Sequence, residues 1–278
     1  MDRLLDVLKA IFTRLTRRLE TRNPLPQMPG TGSAVRLINI LAIAFLVFAA
    51  TVIVIDPVVS GAARMVDEDV EHTIMDFSIA GKGNWILFPA AIACILGHAA
   101  AVLMPVYRLR VVTMHLATLA GYIFWAVAAP GILVAILKQL VGRPRPFYGF
   151  EHGYWDFSPW SGYDFASFPS GDTCNAFALA MALGLMFPRL RPAFFVYAIF
   201  VGSGRIIGNL HFVSDVMAGA AIGAAGAYVM ARVFLYGRNV FDVNSKGCIV
   251  LRGRKAVTLL WRWLTRRRKN WPVVSVRV

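Results

Sequence analysis

The stretch VVTMHLATLAGYIFWAVAAPGILVAIL, residues 111–137, decides the fold. It contains no Lys, Arg, Asp or Glu, and it exceeds the roughly 20 helical residues that cross a hydrocarbon layer about 30 Å thick. Unpaired backbone groups are too costly in lipid, so a segment that crosses a membrane is a helix or a strand of a closed barrel. This stretch lacks the alternation of apolar and polar residues that barrel strands show. It therefore predicts a transmembrane helix.

The rest of the chain has the same apolar character. Of its 278 residues, 58% are hydrophobic and 16% charged, against roughly half and a quarter in soluble domains. We therefore predict an all-α fold, an integral membrane bundle of six transmembrane helices within residues 35–236. Residues 1–34 and 237–278 are predicted to be basic cytoplasmic segments that flank this domain. The other five predicted helices are residues 35–55, 85–107, 173–187, 193–207 and 213–236.

The Lys and Arg residues are unequally distributed between the two sides of the predicted bundle. Of the 29 Lys and Arg residues, 23 fall on the side that holds both termini, whereas 11 of the 15 Asp and Glu fall on the other side. The positive-inside rule then predicts that both termini are cytoplasmic. Anionic lipid headgroups are a sufficient counterpart for the net charge of +14, so no nucleic-acid partner is predicted. Residues 4–19 have the spacing of an amphipathic helix, which either lies on the inner membrane surface or is simply a solvated basic helix.

The cysteines and most histidines indicate no special chemistry. Cys94, Cys174 and Cys248 have no CxxC or Cys/His spacing, so neither a disulfide nor a zinc site is predicted. The histidines outside residues 205–215 have no partner at an informative spacing. The candidate chemistry lies instead in three polar segments on the predicted outer side.

The first polar segment, KQLVGRPRP at residues 138–146, leaves the third helix. Its two prolines stop a helix and favour extended backbone. The cations of the segment are therefore expected to lie together at the outer end of the third helix. The alternative is that Lys138, Arg143 and Arg145 only cap the helix C-terminus and extend toward lipid headgroups.

The second segment, FPSGDT at residues 168–173, immediately precedes the fourth helix. The free N–H groups at a helix start can receive an anion, and Ser170 and Gly171 suit such a phosphate cradle. The alternative is an ordinary N-cap, in which Ser170 or Asp172 accepts hydrogen bonds from first-turn amides.

The third segment, RIIGNLHFVSD at residues 205–215, places His211 and Asp215 four residues apart, on one face of a helix. A carboxylate in that position orients the imidazole and leaves its other nitrogen free to attack, which is typical of an activated nucleophile. A lone histidine at a helix end is often structural, but Asp215 and the nearby Arg205 favour a catalytic role.

Together the three segments resemble the signature of the type 2 phosphatidic acid phosphatase family, PAP2. That signature is Lys, six residues, Arg-Pro; then Pro-Ser-Gly-His; then Ser-Arg, five residues, His, three residues, Asp. The family's six-helix topology agrees with the six predicted helices. The matching residues are Lys138, Arg145, Pro146, Pro169, Ser170, Gly171, Arg205, His211 and Asp215.

The resemblance implies a role for each matching residue. His211 would be the nucleophile that forms a phosphohistidine, and Asp215 would hold it in position. Water would then hydrolyse the intermediate, with no metal or other cofactor. The implied phosphate-binding groups, which offset the charge of the transition state, are Lys138, Arg145, Arg205 and the amides of Ser170 and Gly171.

Two positions depart from the family pattern. Gly204 replaces a Ser, which removes one hydroxyl, and Asp172 replaces the His expected to protonate the leaving group. A free Asp has a pKa of about 3.9 against about 6.5 for His, so a carboxylate here is expected to be a base at neutral pH. Asp172 would have to be protonated in the site, or position the water that attacks the phosphohistidine. Alternatively the leaving group needs little help, as with the phosphate expelled from a diphosphate.

The resulting hypothesis is a lipid-phosphate phosphatase of a bacterial-type inner membrane, with its active site facing the periplasm. Candidate lipid substrates are lipid A phosphate and undecaprenyl diphosphate, followed by phosphatidate or phosphatidylglycerophosphate. Two alternatives stay open: a lipid-to-lipid phosphotransferase, and a non-catalytic lipid-phosphate binding or transport protein. Retention of His211 and Asp215 argues against the last, because a binder needs cations but no nucleophile. The oligomeric state is open.

Two further patterns carry predictions. The outer loop at residues 149–167 is rich in aromatic residues, which either grip a lipid or sugar or anchor the loop at the membrane interface. Gly219, Gly223 and Gly226 in the last helix predict close helix packing, within the chain or in a dimer.

Overall fold

The computed structural model describes residues 31–67, 69, 73–74, 76, 81–148, 155–237, 240–243 and 249–251. The predicted amphipathic N-terminal helix, Cys248 and most of the basic tail lie outside these residues. Within them, helices lie at all six apolar segments. The first is α1 (Thr31–Ala50), continued by a π-helical turn (Thr51–Ile55) and α2 (Asp56–Ala63). The others are α3 (Asn84–Leu103), α4 (Tyr107–Val141), α5 (Gly171–Met186), α6 (Arg191–Ile207) and α7 (Val213–Tyr236).

Four helical stretches in the described part of the chain are long and apolar enough to cross a membrane: Ala42–Ala63, Asn84–Leu103, Leu109–Tyr148 and Val213–Tyr236. Large apolar side chains on their outer surfaces, such as Phe45 and Phe88, are more than half exposed, as lipid-facing residues are. The predicted integral-membrane helical fold is confirmed. With 16 residues, α5 is about 24 Å long, short of a full crossing. The count of six crossings therefore stays a prediction.

Helix α5 is the centre of the bundle, in contact with α4, α6 and α7. Its residues are mostly small, and buried positions occur all round it, among them Cys174, Ala176, Ala178 and Ala180. A Cβ on Gly219 or Gly223 of α7 would lie 2.4 Å from the Ser170 carbonyl oxygen or 2.2 Å from that of Cys174. A Cβ on Gly226 would lie 2.7 Å from the Pro130 side chain of α4. The predicted close packing is therefore confirmed within the chain, against the start of α5 for Gly219 and Gly223 and against α4 for Gly226.

A short hairpin follows α7. Strands β1 (Phe241–Val243) and β2 (Ile249–Leu251) pair antiparallel, with Phe241 opposite Leu251. Phe241 is buried against the ring of Tyr122 in α4, at 4.7 Å between ring centroids. The apolar core therefore extends into residues that the sequence assigned to the basic tail.

We expect Gly223→Ala to lower the midpoint of thermal unfolding in detergent. The added methyl group would overlap the Cys174 backbone, and overpacking of this kind costs about 1–3 kcal/mol. Gly61→Ala is the matched control, because nothing lies within 4 Å of a Cβ at that helical position. Equal midpoints for the two variants would contradict the close contact between α5 and α7.

Candidate active site

The three polar segments meet at one end of the bundle. The first follows the C-terminus of α4, the second leads into α5, and the third connects α6 to α7. The Ser170 N–H donates to the carbonyl of Asp215 at 3.0 Å, and Arg145 donates to the carbonyl of Leu210 at 3.4 Å. The second segment thus contacts the third through its backbone, and the first contacts the third through the Arg145 side chain.

The turn after α4 sets the path of the first segment. Gly142 ends the helix with φ +60, and a Cβ there would overlap the backbone of Ser158. The N–H of Ser158 donates to the Gly142 carbonyl at 2.8 Å, and that of Ser167 donates to the Arg143 carbonyl at 3.1 Å. The outer loop therefore lies across the first segment and is part of the site.

His211 is almost completely buried, at 4% exposure. Its Nδ1 lies 3.7 Å from Oδ2 of Asp215, too far for a hydrogen bond but adjacent to the carboxylate. The pair does not share a helix face as the spacing predicted, because α7 begins only at Val213. The two side chains meet because Asp215 caps the start of α7 and accepts the N–H of Phe212 at 2.9 Å.

Burial sets the protonation state of His211. It lowers the pKa of the imidazole to about 4, an effect that the charges of Lys138 and Arg145 reinforce and the neighbouring Asp215 opposes. The neutral form, which has the lone pair that a nucleophile needs, is therefore the resting form at neutral pH.

We expect the pH profile of kcat/KM to show this shift. Neutral His211 is present above its lowered pKa, so the acid limb due to this residue should lie near pH 4 rather than near the ordinary value of about 6.5. The second ionisation of a phosphate monoester, near pH 6, is separated from it by using two substrates with different phosphate pKa values. An acid limb near 6.5 common to both substrates would contradict a neutral resting His211.

Asp215 is held by several donors and is fully buried. Arg143 Nη1 donates to its Oδ1 at 2.6 Å, and the Ser167 hydroxyl and the Phe212 N–H donate to its Oδ2. With both oxygens engaged, the carboxylate cannot rotate away from His211.

The cations of the first segment are directed inward. Arg143 and Arg145 are 4% and 5% exposed, so the alternative in which they extend to lipid headgroups is wrong. Arg145 donates to the Tyr163 carbonyl at 3.0 Å and lies 3.8 Å from the centre of the Tyr163 ring. Lys138 donates to the Ala166 carbonyl at 2.8 Å. The charge of Lys138 also interacts with those of Arg145, Arg205, Asp172 and Asp215.

The start of α5 lacks the predicted side-chain cap from Ser170, and the predicted phosphate cradle loses the Ser170 N–H. Ser170 is the N-cap residue, but its hydroxyl pairs with that of Thr173 at 2.9 Å and caps no amide. Its N–H donates to the Asp215 carbonyl, so the phosphate-binding role implied for the Ser170 amide is not supported. The N–H groups of the first helical turn, from Gly171 onward, have no partner within the helix and form the positive end of its dipole. The phosphate-binding role implied for Gly171 stays a prediction.

Asp172, the residue that departs from the family pattern, forms an ion pair with Arg205. Its Oδ2 lies 3.1 Å from Nη2 of Arg205, and the Asp172 side chain is 28% exposed against 7% for Arg205. Asp172 is therefore paired with Arg205, one of the cations to which the resemblance gives a phosphate-binding role.

Sequence reasoning missed Asp56. This residue follows the first predicted helix directly, is 1% exposed, and pairs with Arg143 at 2.9 Å. A carboxylate inside a membrane-spanning stretch is a functional signal in itself, so its position could have drawn attention. Ser167 and Ser214 also donate hydrogen bonds to the buried carboxylates. No feature of the sequence distinguishes these two serines from other polar residues.

The aromatic outer loop is compatible with both predicted roles, gripping a lipid or sugar and anchoring at the membrane interface. In its described part Trp155, Trp160 and Tyr163 are 57%, 70% and 64% exposed. The ring of Tyr163 lies on Arg145, at the edge of the site. Exposed aromatic residues in this position suit either a lipid headgroup or the membrane interface.

Comparisons with known proteins point to one family. A family model described as the PAP2 superfamily matches residues 119–238, which include all three polar segments. A lipid A 1-phosphatase of Rhizobium johnstonii is 34% identical over 155 residues, which cover 55% of this chain and 64% of that protein. A lipid A 1-phosphatase of Rhizobium etli is 33% identical over 159 residues, which cover 57% of this chain and 68% of that protein.

The chain thus spans slightly less than two thirds of the first relative and slightly more than two thirds of the second. Among solved structures, it is similar to the crystal structure of the first transmembrane PAP2 type phosphatidylglycerolphosphate phosphatase from Bacillus subtilis. That comparison has a TM-score of 0.48 and 21% identity, over 69% of this chain and 93% of the other.

Proposed function

The chain belongs to the PAP2 superfamily, and from that premise we propose that it is a membrane lipid phosphatase that uses His211 as its nucleophile. The observation that carries the proposal is a buried, neutral imidazole beside a fixed carboxylate, with three cations nearby. Lys138, Arg145 and Arg205 supply the positive charge. Such a site suits the transfer of a phosphoryl group, whose charge must be offset in the transition state.

The proposed reaction has two steps. Nδ1 of His211 faces Asp215, so Nε2 attacks the phosphorus; the P–N bond forms as the bond to the lipid oxygen breaks. Asp215 stabilises the positive charge that develops on the imidazole. Water then attacks the phosphohistidine, giving inorganic phosphate and restoring neutral His211.

Asp172 changes partners in this scheme. A substrate phosphate competes with its carboxylate for Arg205, and binding of the phosphate frees Asp172 within the site. The freed carboxylate accepts a proton from the water that attacks the phosphohistidine. The first step then receives little acid assistance, which favours a leaving group more acidic than a simple alcohol.

We propose a lipid A phosphate as the first candidate substrate. Both Rhizobium relatives are named lipid A 1-phosphatases. The anomeric oxygen of a sugar 1-phosphate is a better leaving group than an ordinary alkoxide, which agrees with the carboxylate at position 172. Undecaprenyl diphosphate, which expels a phosphate, meets the same requirement.

The location of the site is also a proposal. We place the protein in a bacterial-type inner membrane, with six crossings, both termini in the cytoplasm and the active site facing the periplasm. The distribution of Lys and Arg supports this orientation.

Phosphate release from a panel of lipids tests the proposed activity. The purified protein is offered lipid A, undecaprenyl diphosphate, phosphatidate and phosphatidylglycerophosphate in mixed micelles, and we expect the highest kcat/KM with lipid A. No release from any of them would contradict the phosphatase and favour a binding or transport protein. Transfer of phosphate to a second lipid without release would favour the phosphotransferase.

The role of Asp172 is tested by three substitutions. We expect Asp172→Ala and Asp172→Asn to lower kcat roughly 10²-fold, because general-base catalysis typically contributes about 10²- to 10⁴-fold. Asp172→His should retain more activity, since an imidazole also accepts a proton. The control is Asp69→Asn, a change at an exposed acidic residue. Equal rates in the wild type and all three Asp172 variants would exclude proton transfer at this position.

A further inference from the structure

Asp56 lies far from the three polar segments in the sequence, yet it contacts two of them. It is the first residue of α2 and follows the π-helical turn, a feature that often occurs at functional sites. Its Oδ2 accepts from Arg143 Nη2 at 2.9 Å and from the Ser214 hydroxyl, and its Oδ1 accepts the Ser214 N–H at 3.0 Å. The first helix is therefore joined directly to the candidate active site.

Arg143 bridges two carboxylates. Nη2 donates to Asp56, while Nη1 donates to Asp215 at 2.6 Å and to the Ser214 hydroxyl at 2.7 Å. The guanidinium also lies 4.0 Å from the centre of the Phe212 ring. Both terminal nitrogens are engaged by carboxylates, so Arg143 is not placed to bind phosphate, in contrast to its neighbour Arg145.

This bridge fixes one of the two oxygens of Asp215, while the Ser167 hydroxyl and the Phe212 N–H hold the other. Arg143 holds Oδ1, which leaves Oδ2 toward Nδ1 of His211. Asp56 holds the other side of the same guanidinium and also fixes the backbone of Ser214, at the start of α7. A displaced Arg143 would release Oδ1, so that only Oδ2 stays held, by the Ser167 hydroxyl and the Phe212 N–H. The carboxylate could then turn about that oxygen, and the imidazole would lose a rigid orienting group.

We propose that Asp56 is a positioning residue of the active site: through Arg143 and Ser214 it fixes the Asp215 carboxylate against His211. This inference rests on the proposed function, because it assigns His211 the role of nucleophile. A buried ion pair by itself adds little net stability, since desolvation offsets the attraction between the charges. Orientation of a catalytic group is a role that the geometry of this bridge fits better.

The kinetic test uses Asp56→Asn, which keeps the size of the side chain but removes its charge. We expect kcat to fall roughly 10- to 100-fold, as for other residues that orient a catalytic group, while KM changes less than about threefold. Ser214→Ala, which removes a hydroxyl bonded to both Asp56 and Arg143, is the milder second variant if Asp56→Asn does not fold, and should lose about 3- to 10-fold. Asp69→Asn, at an exposed position, is the matched control.

A second readout does not depend on turnover. Inorganic phosphate and orthovanadate are titrated against the purified protein, and binding is measured as a rise in thermal midpoint. Phosphate reports on the cations, whereas orthovanadate also needs an oriented His211, to which it bonds as a transition-state analogue. We expect Asp56→Asn to bind phosphate as the wild type does and orthovanadate roughly 10-fold more weakly.

The outcomes separate the inference from the proposed function. A wild type that hydrolyses no lipid, with orthovanadate binding selectively weakened in Asp56→Asn, would refute the phosphatase and uphold the positioning role. Unchanged kcat and orthovanadate affinity in both variants would overturn the inference, as would an equal loss of phosphate and orthovanadate binding. A wild type that binds neither anion would overturn both.

Discussion

We expect His211→Ala to abolish phosphate release, with kcat/KM reduced roughly 10³-fold or more, because the variant lacks the attacking nitrogen. The imidazole is buried and its Nδ1 faces Asp215. The expected loss of activity therefore reflects the removal of Nε2, the nitrogen that is left to attack. The measurement is phosphate release from lipid A in mixed micelles by purified wild type and variant.

The control for this prediction is His98→Ala. His98 is exposed on α3, and its Nδ1 bonds to the Cys94 carbonyl of its own helix. We expect that variant to match the wild type. Undiminished activity in His211→Ala would refute the assignment of the nucleophile and with it the proposed mechanism.

We expect Arg205→Gln to lower kcat/KM by roughly 10²- to 10³-fold, the loss typical when one preorganised donor to the transition state is removed. The effect has two sources in this site. The phosphate loses a cation, and the Asp172 carboxylate, now without its partner, repels the substrate. Lys82→Gln is the control, because Lys82 is an exposed cation on the same predicted side of the membrane.

Repulsion of the substrate by Asp172 predicts a coupling between positions 205 and 172, which the loss of the Arg205 cation alone does not predict. Adding Asp172→Asn to Arg205→Gln removes the repulsion, so kcat/KM, which extends only to formation of the phosphohistidine, should recover about 10-fold relative to Arg205→Gln alone. The kcat of the double variant should stay low, because the base of the second step is missing. Additive losses in the double variant would show that the Arg205–Asp172 pair does not influence binding of the substrate phosphate.

The membrane helices were predictable because the bilayer selects for a long apolar sequence. The third predicted helix, residues 111–137, lies inside α4, which extends from Tyr107 to Val141. The prediction stopped where charge and polarity begin, whereas the helix continues beyond the apolar part until Gly142 turns the chain. Charge marks where the hydrocarbon ends, and it does not by itself end a helix.

The candidate site was predictable where its chemistry is local. The spacing of His211 and Asp215 identified the pair correctly, although a helix cap and not a shared helix face brings them together. The ion pair between Asp172 and Arg205 and the hydrogen bond from the Ser170 N–H to Asp215 depend on how the helices pack. No spacing within the sequence specifies them.

Asp56 shows most clearly that contacts between distant segments are not specified by spacing within the sequence. Its partner Arg143 is 87 residues away, and the two meet because the first helix packs against α6 and α7, beside the segment that follows α4. From sequence alone, Asp56 was an acidic residue at the end of an apolar stretch. The packed structure makes it the outer member of a chain of contacts that ends at the nucleophile.

The most direct test of the central claim is to trap the phosphoenzyme. The Asp172→Asn variant is mixed with radiolabelled lipid A, quenched in alkaline detergent, which preserves phosphohistidine, and digested for peptide mapping. We predict that label accumulates on the peptide that contains His211, resists alkali and is released by acid. Phosphate release without labelled protein, or label on any other residue, would contradict the account.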